Sequence, residues 1–249
     1  MQIVVDDVLL NYEVVNPGKA NTVVVVHGWG HKAEVWLTTV NLMSKDWRYV
    51  LLDLPGFGQS SFIQGAANVP EYSILIKDFL SKLKIFKPVL IGHSFGGQIG
   101  LDLALHSPNL LKKLILVSPA GVRKKTSKQK IKVFIFKKFK SVKKVLPNRL
   151  VELLLEWVSS SDYYYASEEH REILKKITSY DLSEKLDKIK VPTRIVWGDK
   201  DEIIPFMGKR MVDQMKDAEL YVMYGLGHSP HIRSPKELAR MLTDRLEIR

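Results

Sequence analysis

The chain has 249 residues, of which 45% are hydrophobic and 26% charged, a composition that excludes disordered and fibrous proteins. It contains no cysteine, which excludes disulfides, thiolate nucleophiles and cysteine-ligated metal or iron–sulfur sites. The formal net charge is +11, but residues 121–149 hold twelve Lys or Arg and no acidic residue, leaving 26 basic against 27 acidic residues elsewhere, so the charge excess belongs to one segment.

Membrane-spanning and secretory segments are not evident. No apolar run approaches the roughly 20 residues that cross a bilayer. Residues 1–15 carry two aspartates and no basic flank, unlike a signal peptide. We therefore expect a cytoplasmic protein.

The predicted elements begin with an antiparallel hairpin at the edge of a sheet, in residues 2–15 around the turn Asp6-Asp7. Six further segments rich in Val, Ile and Leu are predicted strands, and helical patterns lie between most of them. Uniformly apolar strands that alternate with helices indicate a mostly parallel sheet with helices on both faces. In chain order these strands are 23–26, 49–54, 88–92, 114–118, 194–198 and 220–225.

The alternation of strands and helices is interrupted once, between residues 118 and 194. This stretch shows helical patterns and no convincing strand, which indicates an insertion between two strands of the sheet. We therefore predict an α/β core formed by residues 1–118 and 190–249. Residues 119–189 are the predicted helical cap, and they include the basic segment 121–149.

The strongest local motif is Gly92-His93-Ser94-Phe95-Gly96-Gly97, which lies between a predicted strand and a helical pattern. A serine on a tight strand-to-helix turn needs small neighbours, and Gly92 and Gly96 provide them. The hydroxyl of Ser94 would lie at the tip of the turn, beside the positive end of the helix dipole. We interpret Ser94 as a nucleophile; the alternative is a glycine-rich turn, including one that binds phosphate.

A serine nucleophile needs a histidine base and a carboxylate that orients the histidine. The acidic run Asp199-Lys200-Asp201-Glu202 follows the strand 194–198, and His228 follows the strand 220–225. Because the carboxyl ends of parallel strands share one edge of a sheet, we expect these residues to converge with Ser94. The alternatives are a solvated acidic turn and a surface histidine.

An acyl-transfer site also needs backbone N–H donors for the oxyanion. One is the amide after the nucleophile, which here belongs to Phe95, and a second comes from a neighbouring loop. The turn His27-Gly28-Trp29-Gly30 follows the strand 23–26. We therefore predict an oxyanion hole formed by the amides of Trp29 and Phe95.

With these motifs the sequence resembles the α/β-hydrolase superfamily over nearly the whole chain apart from the cap. The resemblance implies the α/β-hydrolase fold with Ser94 as nucleophile, His228 as base and Asp201 as acid. The acid of the family usually stands three residues after the glycine that ends the strand, here Gly198; Asp199 is the fallback. The motifs are HGWG at 27–30, DLPGFGQS at 53–60, GHSFGG at 92–97, WGDKDEIIP at 197–205 and GLGHSPHIRSP at 225–235.

The resemblance also implies a function and a role for the turn at Asp53. That turn is expected to be structural. The implied activity is hydrolysis of small-molecule carboxylic esters through an acyl-enzyme. The alternatives are hydrolysis of a carbon–carbon bond in ring-cleavage diketones, and a non-catalytic member of the fold that binds a ligand.

Cofactor and metal motifs are not found. The chain has no P-loop, no G-x-G-x-x-G and no H-E-x-x-H run. A metal site built from His228, His231 and the nearby aspartates lacks a recognised ligand spacing. We therefore expect neither a cofactor nor a metal.

The basic segment 121–149 allows two interpretations. Within 130–147, apolar residues recur at helical spacing and lysines occupy most other positions. One interpretation is a cap helix whose lysines are solvated. The other is an interfacial helix that brings the enzyme to an anionic membrane. Nucleic-acid binding is not expected, because no nucleic-acid-binding fold accompanies the segment. The oligomeric state cannot be predicted from the sequence.

Overall fold

The structure, a computed structural model, describes residues 1–65, 67–123 and 167–246. In this part of the chain eight strands form one sheet: β1 (Gln2–Val5), β2 (Val8–Val15), β3 (Thr22–Val26), β4 (Arg48–Leu52), β5 (Val89–His93), β6 (Lys113–Val117), β7 (Thr193–Gly198) and β8 (Ala218–Met223). Their order in the sheet is β1-β2-β4-β3-β5-β6-β7-β8. All six predicted strands and both strands of the hairpin are therefore present, with bounds shifted by one or two residues.

The edge of the sheet is the predicted antiparallel hairpin. Asp6 and Asp7 connect its strands with φ values of 45° and 63°, and two positive φ values in succession fit a two-residue hairpin turn. The second strand pairs antiparallel with β4, and every pairing from β4 to β8 is parallel. The prediction of a mostly parallel sheet is confirmed.

Helices cover both faces of the sheet. Side chains alternate along the strands, so Val24 and Val26 of β3 enter one core and Val23 and Val25 enter the other. The described helices are α1 (Leu37–Asn41), α2 (Val69–Lys82), α3 (Phe95–His106), α4 (Glu168–Ser179), α5 (Gly208–Gln214), α6 (Pro230–Arg233) and α7 (Pro235–Thr243), with short 3-10 helices at Ala33–Trp36 and Leu186–Lys188. The first core is shared with α2 to α5, and the second with α1 and α7. The predicted α/β-hydrolase fold is confirmed.

The chain leaves the core after β6 and returns before β7 through a hydrogen-bonded neck. The N–H of Leu182 donates to the carbonyl of Gly121 over 2.8 Å. The N–H of Arg123 donates to the hydroxyl of Ser183, also over 2.8 Å. Hydrogen bonds therefore connect the segment that leaves the core with the segment that returns to it.

Helix α4, which belongs to the predicted cap, is anchored on α3. The side chain of Gln98 donates to the carbonyls of Ile177 and Tyr180 over 3.0 and 2.9 Å. The hydroxyl of Tyr180 donates to the buried carboxylate of Asp102 over 2.5 Å. The carbonyl of Ile177 also accepts from the backbone N–H of Tyr180 over 3.2 Å, so Gln98 adds a second hydrogen bond there and reinforces the C-terminal end of α4.

Most of the predicted cap lies outside the described residues. This applies to the basic segment beyond Arg123 and to the proposed interfacial helix. The boundaries of the cap and contact with an anionic membrane remain predictions. Among the residues that the structure describes, no helix has the length and apolar character needed to traverse a bilayer.

Candidate active site

The serine predicted as nucleophile lies on a strained turn between β5 and α3. Ser94 has φ 49° and ψ −111°, a region that residues with a side chain rarely adopt. A Cβ atom on Gly96 would lie 2.3 Å from the carbonyl oxygen of Val26, and one on Gly92 would lie 2.5 Å from that of Gly96. The glycines are therefore required because the turn packs directly against neighbouring backbone.

The histidine and one aspartate form a partly buried, hydrogen-bonded pair at the same edge of the sheet. The Nδ1 atom of His228 lies 2.8 Å from Oδ2 of Asp201, and the carboxylate is fully shielded from solvent. Burial by itself raises the pKa of Asp201, but hydrogen bonds from His228 and from the backbone N–H groups of Ile203 and Ile204 outweigh it and lower the pKa below its ordinary value. Because an ionised carboxylate only accepts, Nδ1 carries the proton and Nε2 is the nitrogen that can accept one.

The alternative acid, Asp199, is engaged elsewhere. Its Oδ1 atom accepts a hydrogen bond from the N–H of Gly225 over 2.6 Å. The Lys200 ammonium lies 3.9 Å from its other carboxylate oxygen. Of the two aspartates, the structure therefore places only Asp201 on His228.

The strand-to-helix turn at Ser94, which we call the elbow, is joined to the loop of His228 through His93, the residue before the serine. The ring of His93 donates from Nε2 to the carbonyl of His228 over 2.9 Å, and the two rings lie 4.9 Å apart. No hydrogen bond joins Ser94 Oγ to the His228 imidazole among the described contacts. Catalytic hydrogen bonds often tighten only when substrate binds.

The two amides predicted to form the oxyanion hole lie on adjacent loops. Phe95 is the first residue of the twelve-residue helix α3, so its N–H belongs to the positive end of the helix. The loop of Trp29 packs against the elbow, since a Cβ on Gly28 would lie 3.2 Å from Cβ of Ser94. Within the described part of the chain, neither amide donates a hydrogen bond to another group.

An aromatic wall packs around Trp29, next to the turn of Ser94, and sequence analysis missed one of its members. The indole of Trp29 packs edge-on against the rings of Phe57, Phe95 and His170, with centroids 4.9, 5.9 and 5.6 Å apart. His170 comes from cap helix α4, and its Nε2 donates to the carbonyl of Gly56 over 3.0 Å. No motif marks His170 in the sequence; only tertiary packing brings it to the site.

Two side chains from the other motifs of the sequence, His27 and Asp53, have structural roles here. His27 is fully buried, accepts the N–H of Leu54 at Nε2 over 2.9 Å and donates from Nδ1 to Gly28 O. Burial lowers the pKa of His27 to about 4. The carboxylate of Asp53 accepts from the backbone N–H groups of Ala33 and Gln59 over 2.7 and 3.0 Å. Both side chains hold loops beneath the site.

The chain is similar to known hydrolases in sequence and in fold. A family model described as alpha/beta hydrolase fold matches residues 21–235. The uncharacterized hydrolase YugF of Bacillus subtilis is 30% identical, over 97% of this chain and 94% of its own length. Human monoacylglycerol lipase ABHD6 is 24% identical, over 92% of this chain and 76% of its own.

Two other similar proteins represent different reactions. A 2-hydroxy-6-oxo-6-phenylhexa-2,4-dienoate hydrolase of Comamonas testosteroni is 25% identical, over 98% of this chain and 93% of its own. The crystal structure of a bacterial membrane phospholipase A superimposes with a TM-score of 0.80 at 25% identity, covering 99% of this chain and 84% of that one.

Proposed function

Because the chain belongs to the alpha/beta hydrolase fold family and is a hydrolase of that fold, we propose that it hydrolyses carboxylic esters through an acyl-enzyme on Ser94. The observation that carries the proposal is the hydrogen-bonded pair of Asp201 and His228, at the same edge of the sheet as the strained turn of Ser94. A serine hydroxyl is a weak nucleophile until a neighbouring base removes its proton.

In the proposed reaction, Nε2 of His228 takes the proton of Ser94 as its oxygen attacks the ester carbonyl. Asp201 keeps the imidazole in the required tautomer and stabilises its charged form. The amides of Trp29 and Phe95 bind the oxyanion. His228 then gives the proton to the leaving alcohol, and a water molecule, activated by the same histidine, hydrolyses the acyl-enzyme. No step requires a cofactor.

The substrate class follows from the aromatic wall. Phe57 and Phe95 are buried, whereas Trp29 and His170 are partly exposed, and these two rings would offer an apolar surface that suits the acyl chain or apolar alcohol of a small-molecule ester. The similarity to a monoacylglycerol lipase and to a phospholipase A supports the proposal that the substrates are esters with apolar chains. The second candidate is carbon–carbon bond hydrolysis, which the similarity to the dienoate hydrolase favours.

The test is labelling with a fluorophosphonate, followed by mass mapping of the adduct. We expect a single adduct on the peptide that contains Ser94, and none in Ser94→Ala or after heat denaturation. A panel of p-nitrophenyl esters of increasing chain length, run beside a ring-cleavage diketone, then separates the two reactions. A folded protein that is not labelled at Ser94 would contradict the proposal and favour a non-catalytic member of the fold.

A further inference from the structure

Three imidazoles meet below the catalytic loops and take no part in the proposed reaction. His31, His93 and His231 each present a ring nitrogen within 4.8 Å of the nitrogens of the other two. Their ring centroids lie 4.5 Å (93 to 231), 5.6 Å (31 to 231) and 6.0 Å (31 to 93) apart. We refer to these residues as the three-histidine cluster.

Two members of the cluster have buried nitrogens without a hydrogen-bond partner among the described residues. His93 uses Nε2–H on the carbonyl of His228, so the lone pair is on Nδ1, which has no partner. Both ring nitrogens of His231 are buried and have no partner. Each residue is only 1% exposed. A buried polar atom left unsatisfied costs about 1–3 kcal/mol, so three of them at one place require an explanation.

We propose that the three-histidine cluster is a binding site for a divalent transition metal, with Zn²⁺ the preferred ion. Imidazole nitrogens are ligands for zinc and its neighbours in the transition series, whereas Mg²⁺ and Ca²⁺ need oxygen ligands, and this cluster contributes none. The N–H of His93 on a backbone carbonyl is the outer contact that metal-bound histidines usually make. Three imidazoles leave the fourth tetrahedral position to water.

The spacing of the cluster is close to that of a tetrahedral site. Zn–N bonds of about 2.0–2.1 Å put ligand nitrogens about 3.3 Å apart and imidazole centroids about 5 Å apart. The three observed centroid distances bracket that value. The ligand nitrogens lie within 4.8 Å of one another, so a pair at that limit would have to shorten by about 1.5 Å.

The cluster can close by movement of one ring. His231 is fixed by stacking on Trp36, with centroids 4.6 Å apart and planes within 3°. His93 is fixed at the end of β5. His31 lies on a loop and is only partly buried, so it can approach the other two. A Cβ on Gly28 would lie 2.6 Å from Nδ1 of His93, so any larger residue at that position would occupy space beside the lone pair.

A metal at this cluster would join the three loops that carry the proposed catalytic groups. His31 lies two residues after Trp29, and His93 directly precedes Ser94. His231 lies three residues after His228. The ion would thus act as a structural clamp and not as the reacting centre. Its binding can be measured whether or not Ser94 is a nucleophile.

The experiment uses the full chain without a polyhistidine tag, stripped with a chelator. We expect isothermal titration with Zn²⁺ to give one equivalent per chain, a rise of several degrees in melting temperature, and no effect of Mg²⁺. Co²⁺ should give the visible absorption bands of a nitrogen-ligated tetrahedral ion. His31→Gln should weaken Zn²⁺ binding by at least about 100-fold, while the exposed His106→Gln should leave it unchanged.

The variant His228→Gln distinguishes Zn²⁺ bound at the three-histidine cluster from Zn²⁺ bound at the pair of Asp201 and His228. If Zn²⁺ affinity is kept in His228→Gln and lost in His31→Gln, the site is the cluster. If the pattern is reversed, the ion binds at the catalytic pair and the proposal is wrong. Absence of Zn²⁺ binding by the folded wild type also overturns it. Circular dichroism verifies folding of each variant, and the Co²⁺ spectrum of the wild type tests ligation without any substitution.

Discussion

Replacement of Asp201 by asparagine is the sharpest test of the proposed catalytic pair, Asp201 and His228. Oδ2 of Asp201 accepts from Nδ1 of His228 and from the indole N–H of Trp197, and Oδ1 accepts from the backbone N–H groups of Ile203 and Ile204. Four donors thus point at one carboxylate. An asparagine has a single oxygen, so either orientation of its amide sets an NH₂ group against two of these donors.

The size of the effect follows from this arrangement. If the amide oxygen stays with the backbone N–H groups, the NH₂ group faces His228 and forces its proton from Nδ1 to Nε2, where it blocks acceptance of the serine proton. Loss of the correct tautomer in a serine triad lowers kcat by about 10⁴-fold. The opposed indole N–H of Trp197 adds a destabilisation of about 1–3 kcal/mol.

The assay is the kcat for an activated ester at neutral pH, with urea unfolding to confirm the fold. The matched control is Asp199→Asn, two residues away on the same turn. Its amide oxygen can still accept the N–H of Gly225, so we expect kcat within about twofold of wild type, since surface changes usually have small effects. A folded Asp201→Asn with wild-type kcat, or an equal loss in Asp199→Asn, would refute the reasoning.

Three further predictions concern stability and are checked by urea unfolding. Gly96→Ala places a methyl group against strand backbone 2.3 Å away and should cost about 3 kcal/mol, whereas Gly18→Ala, with no atom within 4 Å, should cost little. The pKa of His27 falls from 6.5 to about 4 on folding, so between these pH values the unfolded chain binds a proton that the folded chain does not, and stability is lost as the pH drops. The wild type should lose about 3 kcal/mol more of its free energy of unfolding over that range than His27→Gln. Equal pH profiles of the two proteins would contradict this. Tyr180→Phe removes the hydroxyl that donates to buried Asp102 and should cost about 1.5–3 kcal/mol; no loss would mean that this hydrogen bond does not hold the cap helix.

The fold was predictable because its signals are local. Apolar runs give strands, the Asp6-Asp7 pair gives the hairpin turn, and glycines two residues either side of Ser94 give the elbow. Each depends on residues that are neighbours in the chain. The approximate positions of the three triad candidates follow from strand order alone, because their loops leave the same edge of the sheet.

The finer contacts were not predictable because they depend on tertiary packing. Spacing does not separate Asp199 from Asp201; the four donors that converge on Asp201 come from the packed turn. Likewise His170 reaches the site only because α4 docks on α3. The three-histidine cluster combines positions 31, 93 and 231, which lie on loops predicted to meet at one edge of the sheet, but nothing in the sequence indicates that these three side chains contact one another.

The neck below the cap has a consequence for how such enzymes diversify. Because the neck and the contacts of α4 with α3 hold the two ends of the inserted chain, the part between Arg123 and α4 can be replaced by one of different length without moving the strands that bear the three triad candidates. Each doubling of such a loop costs only about 0.6 kcal/mol in closure entropy. A transplant of the intervening segment from a relative, joined at residues 123 and 167 so that α4 is kept, should therefore change substrate preference while the proposed catalytic residues stay in place.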